Sequence, residues 1–196
     1  RSLFRDRLEH AVAVSKRNGR GAAVMFVDLD NFKKITDSFG HAHGDRVLSK
    51  SAQRLVKATR NGDTVARLGG DEFAVLLENL TDKQQVVEIA ARIVEALQEP
   101  LDLPGTNMRA AASVGVAFAT AEDGVEELMR NADIAMYSAK AQGKGRYTVY
   151  EPAMQRAASK RQEIEAELAR ALVEAQFLLH YQPIIELHSG YLLGVE

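Results

Sequence analysis

The chain has 196 residues, of which 46% are apolar, so it can bury one substantial core but not two. Its 27 acidic and 25 basic residues nearly cancel, which argues against binding to duplex nucleic acid or to an anionic membrane surface. The lack of cysteine excludes disulfides and thiolate metal sites, and no apolar stretch reaches the roughly 18 to 20 residues of a membrane-spanning helix.

Hydrophobic periodicity predicts the secondary structure. Recurrence every three to four residues indicates helices, and short apolar, β-branched runs indicate strands. We predict helices at residues 3–15, 31–39, 45–58, 82–98 and 125–142, and a long charged helix at 153–175. We predict strands at 22–29, 64–68, 73–77, 110–119, 146–150 and 177–183. A break at 40–44 separates the second and third helices, and a turn is predicted at 100–105.

These elements predict an α+β fold with a central, mostly antiparallel five-stranded sheet flanked by helices. The strands at 64–68 and 73–77 are joined by a Gly-Gly turn and should form a β-hairpin. After Glu151-Pro152 the sequence becomes highly charged and helical. We therefore expect a first domain at residues 1–150, a linker helix at 151–176 and the beginning of another domain at 177–196.

Several carboxylates stand at strand ends. Asp28 and Asp30 close the first strand, and Asp71 and Glu72 occupy the hairpin turn. If the two strands are neighbours, three or four carboxyl groups converge and repel one another unless cations lie among them, which is the logic of a Mg²⁺ site. The alternative is that the turn is only a turn and that the first two aspartates cap the next helix.

Four ordered motif blocks lie within residues 1–150. One is the five-residue run Gly69-Gly70-Asp71-Glu72-Phe73. The other three blocks are Phe26-Val27-Asp28-Leu29-Asp30-Asn31-Phe32-Lys33, then Phe39-Gly40-His41-x-x-Gly44-Asp45, and Ala132-Asp133-x-Ala135-Met136-Tyr137-x-Ala139-Lys140 with Gly143-Lys144. Together they resemble the GGDEF family of diguanylate cyclases, whose five-residue signature is complete in this sequence. The resemblance implies a fold similar to the palm of nucleotidyl cyclases and polymerases. It also implies that two GTP molecules, bound to facing half-sites of a homodimer, are converted to cyclic di-GMP and two pyrophosphates.

The resemblance further implies roles for the acidic residues. Asp28, the main-chain carbonyl of Leu29 and Asp71 would hold two Mg²⁺ ions per half-site, with Glu72 beside them. Asp71 would also help to deprotonate the ribose 3′-hydroxyl, so Asp71 and Glu72 are the candidate catalytic residues. Gly69 and Gly70 carry no Cβ and would let the nucleotide approach the backbone closely.

Other residues are implied in binding GTP. Asp45 would accept hydrogen bonds from guanine; the alternative is that it caps the following helix, and both roles could coexist. His41 matches a histidine that the family carries near the substrate, whereas His43 matches nothing and is expected in a loop. Each implicated lysine, taken singly, also fits a solvated surface position. The groups expected to neutralise the phosphates are Lys33, Lys140 and Lys144, with main-chain N–H groups near Asn31 and Phe32.

One position departs from the family pattern and another suggests regulation. Thr36 stands where the family has an asparagine that recognises guanine, and a single hydroxyl offers less than an amide. Weaker guanine recognition is the expected result. Arg60 and Asp63 match the Arg-x-x-Asp pattern of an inhibitory site for cyclic di-GMP, five residues before the signature. A surface ion pair is the alternative interpretation of this short pattern.

The last 20 residues resemble the opening strands of an EAL-type cyclic di-GMP phosphodiesterase, with Glu196 as that family's first metal-ligand glutamate. An attached EAL domain is therefore an expected partner in the parent protein. The parent is expected in the cytoplasm, with any membrane anchor outside this chain. Two hypotheses follow: an active cyclase, or a catalytically silent module that binds GTP or senses cyclic di-GMP and regulates the phosphodiesterase. A different palm-fold nucleotidyl transferase fits the signature less well.

Overall fold

The structure is a computed structural model that describes residues 1–103, 106–120 and 124–196. The helices are α1 (Ser2–Asn18), α2 (Phe32–Phe39), α3 (His41–Ala58), α4 (Lys83–Gln98), α5 (Val125–Ala141) and α6 (Pro152–Val173). The strands are β1 (Gly21–Asp30), β2 (Thr64–Gly69), β3 (Glu72–Leu80), β4 (Pro100–Leu103), β5 (Thr106–Arg109), β6 (Ala111–Phe118), β7 (Tyr147–Val149), β8 (Pro183–Ile185) and β9 (Leu192–Val195).

Five strands form one sheet in the order β2-β3-β1-β6-β7. All neighbours are antiparallel except β6 and β7, which run parallel. The predicted α+β fold with a mostly antiparallel five-stranded sheet is confirmed. β1 is central and almost entirely buried, which explains why its sequence is apolar at nearly every position.

Strand alternation sends side chains to two separate cores. On one face, Met25, Val27 and Leu29 of β1 pack in a cluster with residues of α3 and α4. On the other face, Ala22 and Val24 pack in a cluster with residues of α1 and α5. The sheet is therefore the middle layer of three, and successive residues of β1 face different helices.

The helix ends follow from local chemistry. α1 ends because Gly19 adopts a left-handed conformation with φ of 69° and donates its N–H to the carbonyl of Ser15. α4 is capped by Asp82, whose side chain accepts a hydrogen bond from the N–H of Gln84. α1 ends three residues beyond its predicted end, and α4 begins one residue after its predicted beginning.

The prediction of a break at residues 40–44 is wrong. Only Gly40, with φ of 81°, lies between the two helices, and α3 already begins at His41. His43 is thus helical, not in a loop, and its ring lies 6.1 Å from that of Phe39. Asp45 lies inside α3 and does not cap it.

Two further element predictions need correction. The turn predicted at 100–105 is largely a hairpin arm, because Pro100 pairs with Arg109 and Leu103 with Thr106; residues 104–105 lie outside the described residues. The strand predicted at 177–183 is also wrong, since the strand begins only at Pro183 and runs to Ile185. In the sheet, Phe73 and Val75 are buried in the core and Phe26 is half-buried.

The chain divides into two compact units, residues 1–156 and 157–196. The first contains the five-stranded sheet and both cores. The second contains most of α6 and the β8–β9 hairpin, whose apolar side chains are largely exposed, among them Leu187 and Leu193. Within the described residues, none of the helices combines the length and the hydropathy needed to cross a bilayer.

Candidate nucleotide site at the signature hairpin

The signature forms the tip of the β2–β3 hairpin. Gly69 pairs with Glu72, so Gly70 and Asp71 make a two-residue turn. The φ angles of Gly69 and Gly70 are 152° and 51°, and a Cβ at either position would meet no atom within 4 Å. The glycines are needed for the backbone conformation, and the space beside them is open to a ligand.

Two contacts orient the carbonyl groups of this turn. The guanidinium of Arg67 donates two hydrogen bonds to the carbonyl oxygen of Gly70, at 3.0 Å from Nε and 2.7 Å from Nη2. The N–H of Leu29 donates to the carbonyl oxygen of Asp71 at 3.3 Å. The turn is thus fixed both from its own strand and from β1. The sequence alone indicates no role for Arg67, because only the folded turn shows that its guanidinium is directed at Gly70.

The acidic residues of the two strands are neighbours. Asp28 of β1 is paired directly with Glu72 of β3, so both side chains lie on the α1/α5 face at the end of the sheet. Asp71 follows in the turn, and its backbone is bonded to β1. Asp28, Leu29, Asp71 and Glu72 therefore occupy one end of the sheet.

Asp28 is a buried carboxylate with a cationic partner. Its residue surface is only 8% exposed, and its Oδ2 lies 2.8 Å from Nζ of Lys140. Burial raises the pKa of the Asp28 carboxyl; the Lys140 ammonium opposes this rise, and the charges of Asp71 and Asp30 add to it. The site thus disfavours uncompensated negative charge and stabilises a cation beside Asp28.

The oxygen donors at this end of the sheet suit Mg²⁺. Among the described residues, no three His, Cys, Asp or Glu side chains form a metal-binding group by themselves. Mg²⁺ does not need such a group, because it prefers one or two carboxylates and takes its remaining oxygen ligands from water and phosphates. Asp28 and Asp71 with the carbonyl of Leu29 are hard oxygen donors of that kind, so these residues fit the ion.

Glu72 has a second partner. Its Oε2 lies 3.5 Å from Nη2 of Arg1, whose Nε also donates to the carbonyl oxygen of Leu68 at 2.8 Å. Both side chains are well exposed, so the ion pair itself contributes little energy. Its consequence is geometric, since it connects the beginning of α1 with the signature hairpin across a cavity of about 560 Å³ that Glu72 lines.

The lysines do not all reach the carboxylates. Lys140 contacts Asp28 directly, and Nζ of Lys144 donates to Oδ1 of Asn31 at 2.9 Å, immediately after β1. Lys33 is exposed in the first turn of α2. Asn31 itself is left-handed, with φ of 59°, at the position before α2. The structure thus brings Lys140 and Lys144 to the end of β1, and it leaves Lys33 extended into solvent.

The residues expected to bind the base lie on α2 and α3. Thr36 donates its hydroxyl proton to the carbonyl of Lys33 at 2.8 Å, within its own helix. A Cβ on Gly44 would lie 2.6 Å from Cγ2 of Thr36, so the glycine lets α3 pack closely on α2. His41 and Asp45 are exposed on α3. The hydroxyl proton of Thr36 is therefore already engaged in a hydrogen bond within α2.

The predicted regulatory residues form a turn away from the signature. The main-chain N–H of Arg60 donates to Oδ2 of Asp63 at 2.8 Å, between α3 and β2. The guanidinium of Arg60 is exposed, with Nη2 at 3.5 Å from Oε1 of Gln85. Asp63 thus stabilises the turn, and the Arg60 side chain extends from it.

The sequence pointed to Asp30 but not to its hydrogen-bond partners, and it gave no indication of Ser113. Asp30 is 6% exposed and Ser113 is fully buried, and both are polar. The Ser113 hydroxyl donates to Oδ1 of Asp30 at 2.8 Å, and the N–H of Gly145 donates to Oδ2 at 2.9 Å. The Asp-x-Asp pattern drew attention to both aspartates, but nothing local indicated these partners.

This fold and this carboxylate edge define a palm of the nucleotidyl-cyclase type. A family model described as diguanylate cyclase, GGDEF domain, matches residues 1–146. The chain belongs to the GGDEF diguanylate cyclase family.

Two curated relatives come from Pseudomonas aeruginosa. The bifunctional diguanylate cyclase/cyclic di-GMP phosphodiesterase MucR is 39% identical in an alignment of 197 positions that covers 100% of this chain and 29% of MucR. The cyclic di-GMP phosphodiesterase NbdA is 36% identical over 191 residues, which is 97% of this chain and 24% of NbdA. The chain therefore spans only about a quarter to a third of the length of these relatives.

A solved structure supports the fold. The crystal structure of the GGDEF domain of TpbB from Pseudomonas aeruginosa superposes with a TM-score of 0.75 at 39% sequence identity. The match covers 77% of this chain and 95% of that chain. The five-stranded sheet with flanking helices is thus the arrangement of a known GGDEF domain.

Proposed function

We propose that this domain is a Mg²⁺-dependent diguanylate cyclase that condenses two GTP molecules into cyclic di-GMP and releases two pyrophosphates. The single observation that carries the proposal is the pairing of Asp28 with Glu72, which brings the end of β1 beside the signature turn. Membership of the GGDEF family supports the same activity.

Mg²⁺ would be held by Asp28, the carbonyl of Leu29 and Asp71, with Glu72 beside them and two ions per half-site. When bound, the ions supply positive charge that balances the phosphates and the developing negative charge. The pKa of Asp28 supports this role, since the site raises it through burial and through the charges of Asp71 and Asp30. To approach the ions, Glu72 would have to give up its ion pair with Arg1.

The protein's own groups would position the substrate. Lys140 and Lys144 lie at the end of β1, where their charges suit the β and γ phosphates. Lys33 and the N–H groups at Asn31 and Phe32 would add to this cradle at the beginning of α2. The open space beside Gly69 and Gly70 would admit the nucleotide.

The reaction would proceed with each GTP attacking the other. The 3′-oxygen of one ribose forms a bond to the α-phosphorus of the facing GTP, and the bond from that phosphorus to the bridging oxygen of pyrophosphate breaks. Asp71 is the proposed acceptor of the 3′-hydroxyl proton. Because one chain provides one half-site, a homodimer is required, and the reaction depends chiefly on alignment and charge stabilisation.

Guanine would be bound between α2 and α3, by Asp45 with His41 and Thr36 nearby. A carboxylate accepts hydrogen bonds only, which suits the two N–H donors on one edge of guanine. Since Thr36 already donates to Lys33, it adds at most an acceptor. We expect weaker base binding here than an asparagine would give.

The direct test incubates the protein with GTP and Mg²⁺ at high concentration and separates cyclic di-GMP by chromatography. The matched control is Asp71→Asn, which keeps the shape of the side chain and removes its charge. We expect product from the unmodified chain and none from the variant. GTP binding without product, in a sample in which Arg60→Ala has removed feedback, would refute the cyclase.

The second candidate function is a silent regulatory module. The observation that favours it is the Thr36 hydroxyl, which is bonded within its own helix and is not free to recognise guanine. In that case the domain would bind GTP or cyclic di-GMP and control an attached phosphodiesterase. The same assay separates the two functions, because only the cyclase releases pyrophosphate.

Arg60 and Asp63 are the proposed product-binding site. The turn that Asp63 stabilises presents the Arg60 guanidinium to solvent, where it can stack on guanine and donate two hydrogen bonds to it. Cyclic di-GMP bound there would inhibit the enzyme.

The domain organisation that we propose is a GGDEF domain at residues 1–150, a linker helix at 151–176 and the beginning of an EAL domain at 177–196. The separate compact unit at 157–196, with its exposed apolar hairpin, supports a second domain. The name of MucR, which combines both activities, supports a parent protein of the same kind.

A further inference from the structure

Asp30 is a buried charge with both oxygens occupied. The residue is 6% exposed, and its carboxylate accepts one hydrogen bond from β6, through Ser113, and one from the loop after α5, through the N–H of Gly145. Burying a carboxylate is costly unless such bonds compensate for the lost water. An apolar residue could fill the same space without that cost. The presence of a carboxylate therefore indicates a role for the hydrogen bonds that it accepts from Ser113 and Gly145.

The loop that Asp30 holds has an unusual backbone. Gly143, Lys144 and Gly145 have φ angles of 114°, 62° and 58°, and Lys144 is not a glycine. A left-handed conformation is unfavourable for a residue with a Cβ, so surrounding contacts must maintain it. Gly145 is held at both of its polar groups, because Nε2 of Gln98 donates to its carbonyl oxygen at 2.8 Å.

This loop connects the two lysines of the site. Lys140, in the last turn of α5, contacts Asp28, and Lys144, in the loop itself, contacts Asn31. Asp28 precedes Asp30 within β1, and Asn31 follows Asp30 immediately after the strand. A single carboxylate therefore joins the strand that carries the acidic residue to the segment that carries both cations.

We propose that Asp30 is a positioning residue, which holds the loop at 143–145 against β1 so that Lys140 and Lys144 face the phosphates of a nucleotide bound beside Asp28. The inference rests on the proposed function for the identity of the ligand. Asp30 touches neither substrate nor reacting atoms. It acts through the backbone of Gly145, and its carboxylate suits the task because it accepts from two directions.

Three variants separate the hydrogen bonds from the charge. Asp30→Ala removes both bonds. In Asp30→Asn the side-chain oxygen still accepts from Gly145, and the amide donates to Ser113 because the hydroxyl can rotate to accept. The Gly145 bond is then neutral and weaker. Ser113→Ala removes only the bond from β6 and is the matched control, since it leaves the Gly145 bond in place.

The first measurement needs no ligand. Amide hydrogen exchange of Gly145, followed by NMR, should be slowest in the unmodified chain, faster in Asp30→Asn and fastest in Asp30→Ala, with Ser113→Ala close to the unmodified chain. If Asp30→Ala does not fold, the comparison of Asp30→Asn with the unmodified chain remains. Unchanged Gly145 exchange in either Asp30 variant overturns the proposal.

The second measurement compares ligands with and without phosphates. For GTP carrying a methylene group in place of the α,β-bridging oxygen, which cannot react, Asp30→Ala should weaken binding about ten- to hundredfold, the range for residues that orient a ligand group from behind it. Guanosine binding should change by less than about twofold, since its contacts lie on α2 and α3. Equal losses for both ligands would show a merely structural role and overturn the proposal. If the unmodified chain binds no GTP, the proposed function fails, while the Gly145 exchange still decides on Asp30.

Discussion

Replacing Gly115 with alanine tests how closely α5 packs on the sheet. A Cβ at this position of β6 would overlap the carbonyl oxygen of Ala132 and the nitrogen of Met136, and it would lie 2.7 Å from Cα of Met136. Ordinary contact begins at 3.4 Å, so the helix backbone would have to retreat by at least about 0.7 Å. No side-chain rotation can relieve the overlap, because all three atoms are main-chain atoms.

The expected cost lies at the upper end of the range for overpacked cores, about 3 kcal/mol. For a domain of this size, 1 kcal/mol shifts the melting temperature by about 2–4 °C, so the variant should melt about 6–12 °C lower. Far-UV circular dichroism measures the transition. Gly62→Ala is the control, since a Cβ there meets no atom within 4 Å, and it should melt within about 2 °C of the unmodified chain. If Gly115→Ala melted together with Gly62→Ala, α5 could not lie where the structure has it.

The remaining predictions concern the nucleotide site. Lys140→Met should weaken GTP binding about tenfold in calorimetry, because it removes a charge-assisted partner beside Asp28, whereas the exposed neighbour variant Lys34→Met should not. Thr36→Asn should strengthen GTP binding about fivefold by adding one hydrogen bond, without strengthening ATP binding; a weaker GTP complex would indicate that packing on Gly44 matters more. Arg60→Ala should raise the concentration of cyclic di-GMP that halves product formation about tenfold or more, and unchanged inhibition would remove Arg60 from the product site.

The sequence predicted the sheet well because its strands have simple constraints. β1 had to be apolar on both faces, and the Gly-Gly turn indicated the hairpin of β2 and β3. The α2–α3 junction was predicted poorly because two glycines looked alike. Gly40 has a positive φ and separates the helices, whereas Gly44 is helical and is small so that Thr36 can pack against it. Sequence spacing does not distinguish a conformational role of glycine from a packing role.

The residues of the candidate site could be predicted where they belong to a motif and lie close together in the sequence. Contacts between residues far apart in the sequence could not be predicted. Asp28, Asp71 and Glu72 follow from strand ends and a turn. The partners of Asp30 are 83 and 115 residues away in the chain, so its role depends on how β6 and the loop after α5 meet β1. The role of Arg67 was unpredictable for a similar reason, since its guanidinium reaches the carbonyl of Gly70 only when the turn has formed.

The alternation of β1 explains why the site draws on distant parts of the chain. Asp28 and Asp30 are two residues apart, so both face the α1/α5 side, and their cationic and N–H partners must come from α5 and its following loop. Phe32 and Ile35 of α2 pack with the core on the opposite side of the sheet. A nucleotide bound as we propose would therefore have its phosphates near one face and its base near the other, and it would cross the sheet at the tip of the hairpin. A side chain at Gly69 or Gly70 would stand in that path, which gives a second reason, besides the turn conformation, for two glycines there.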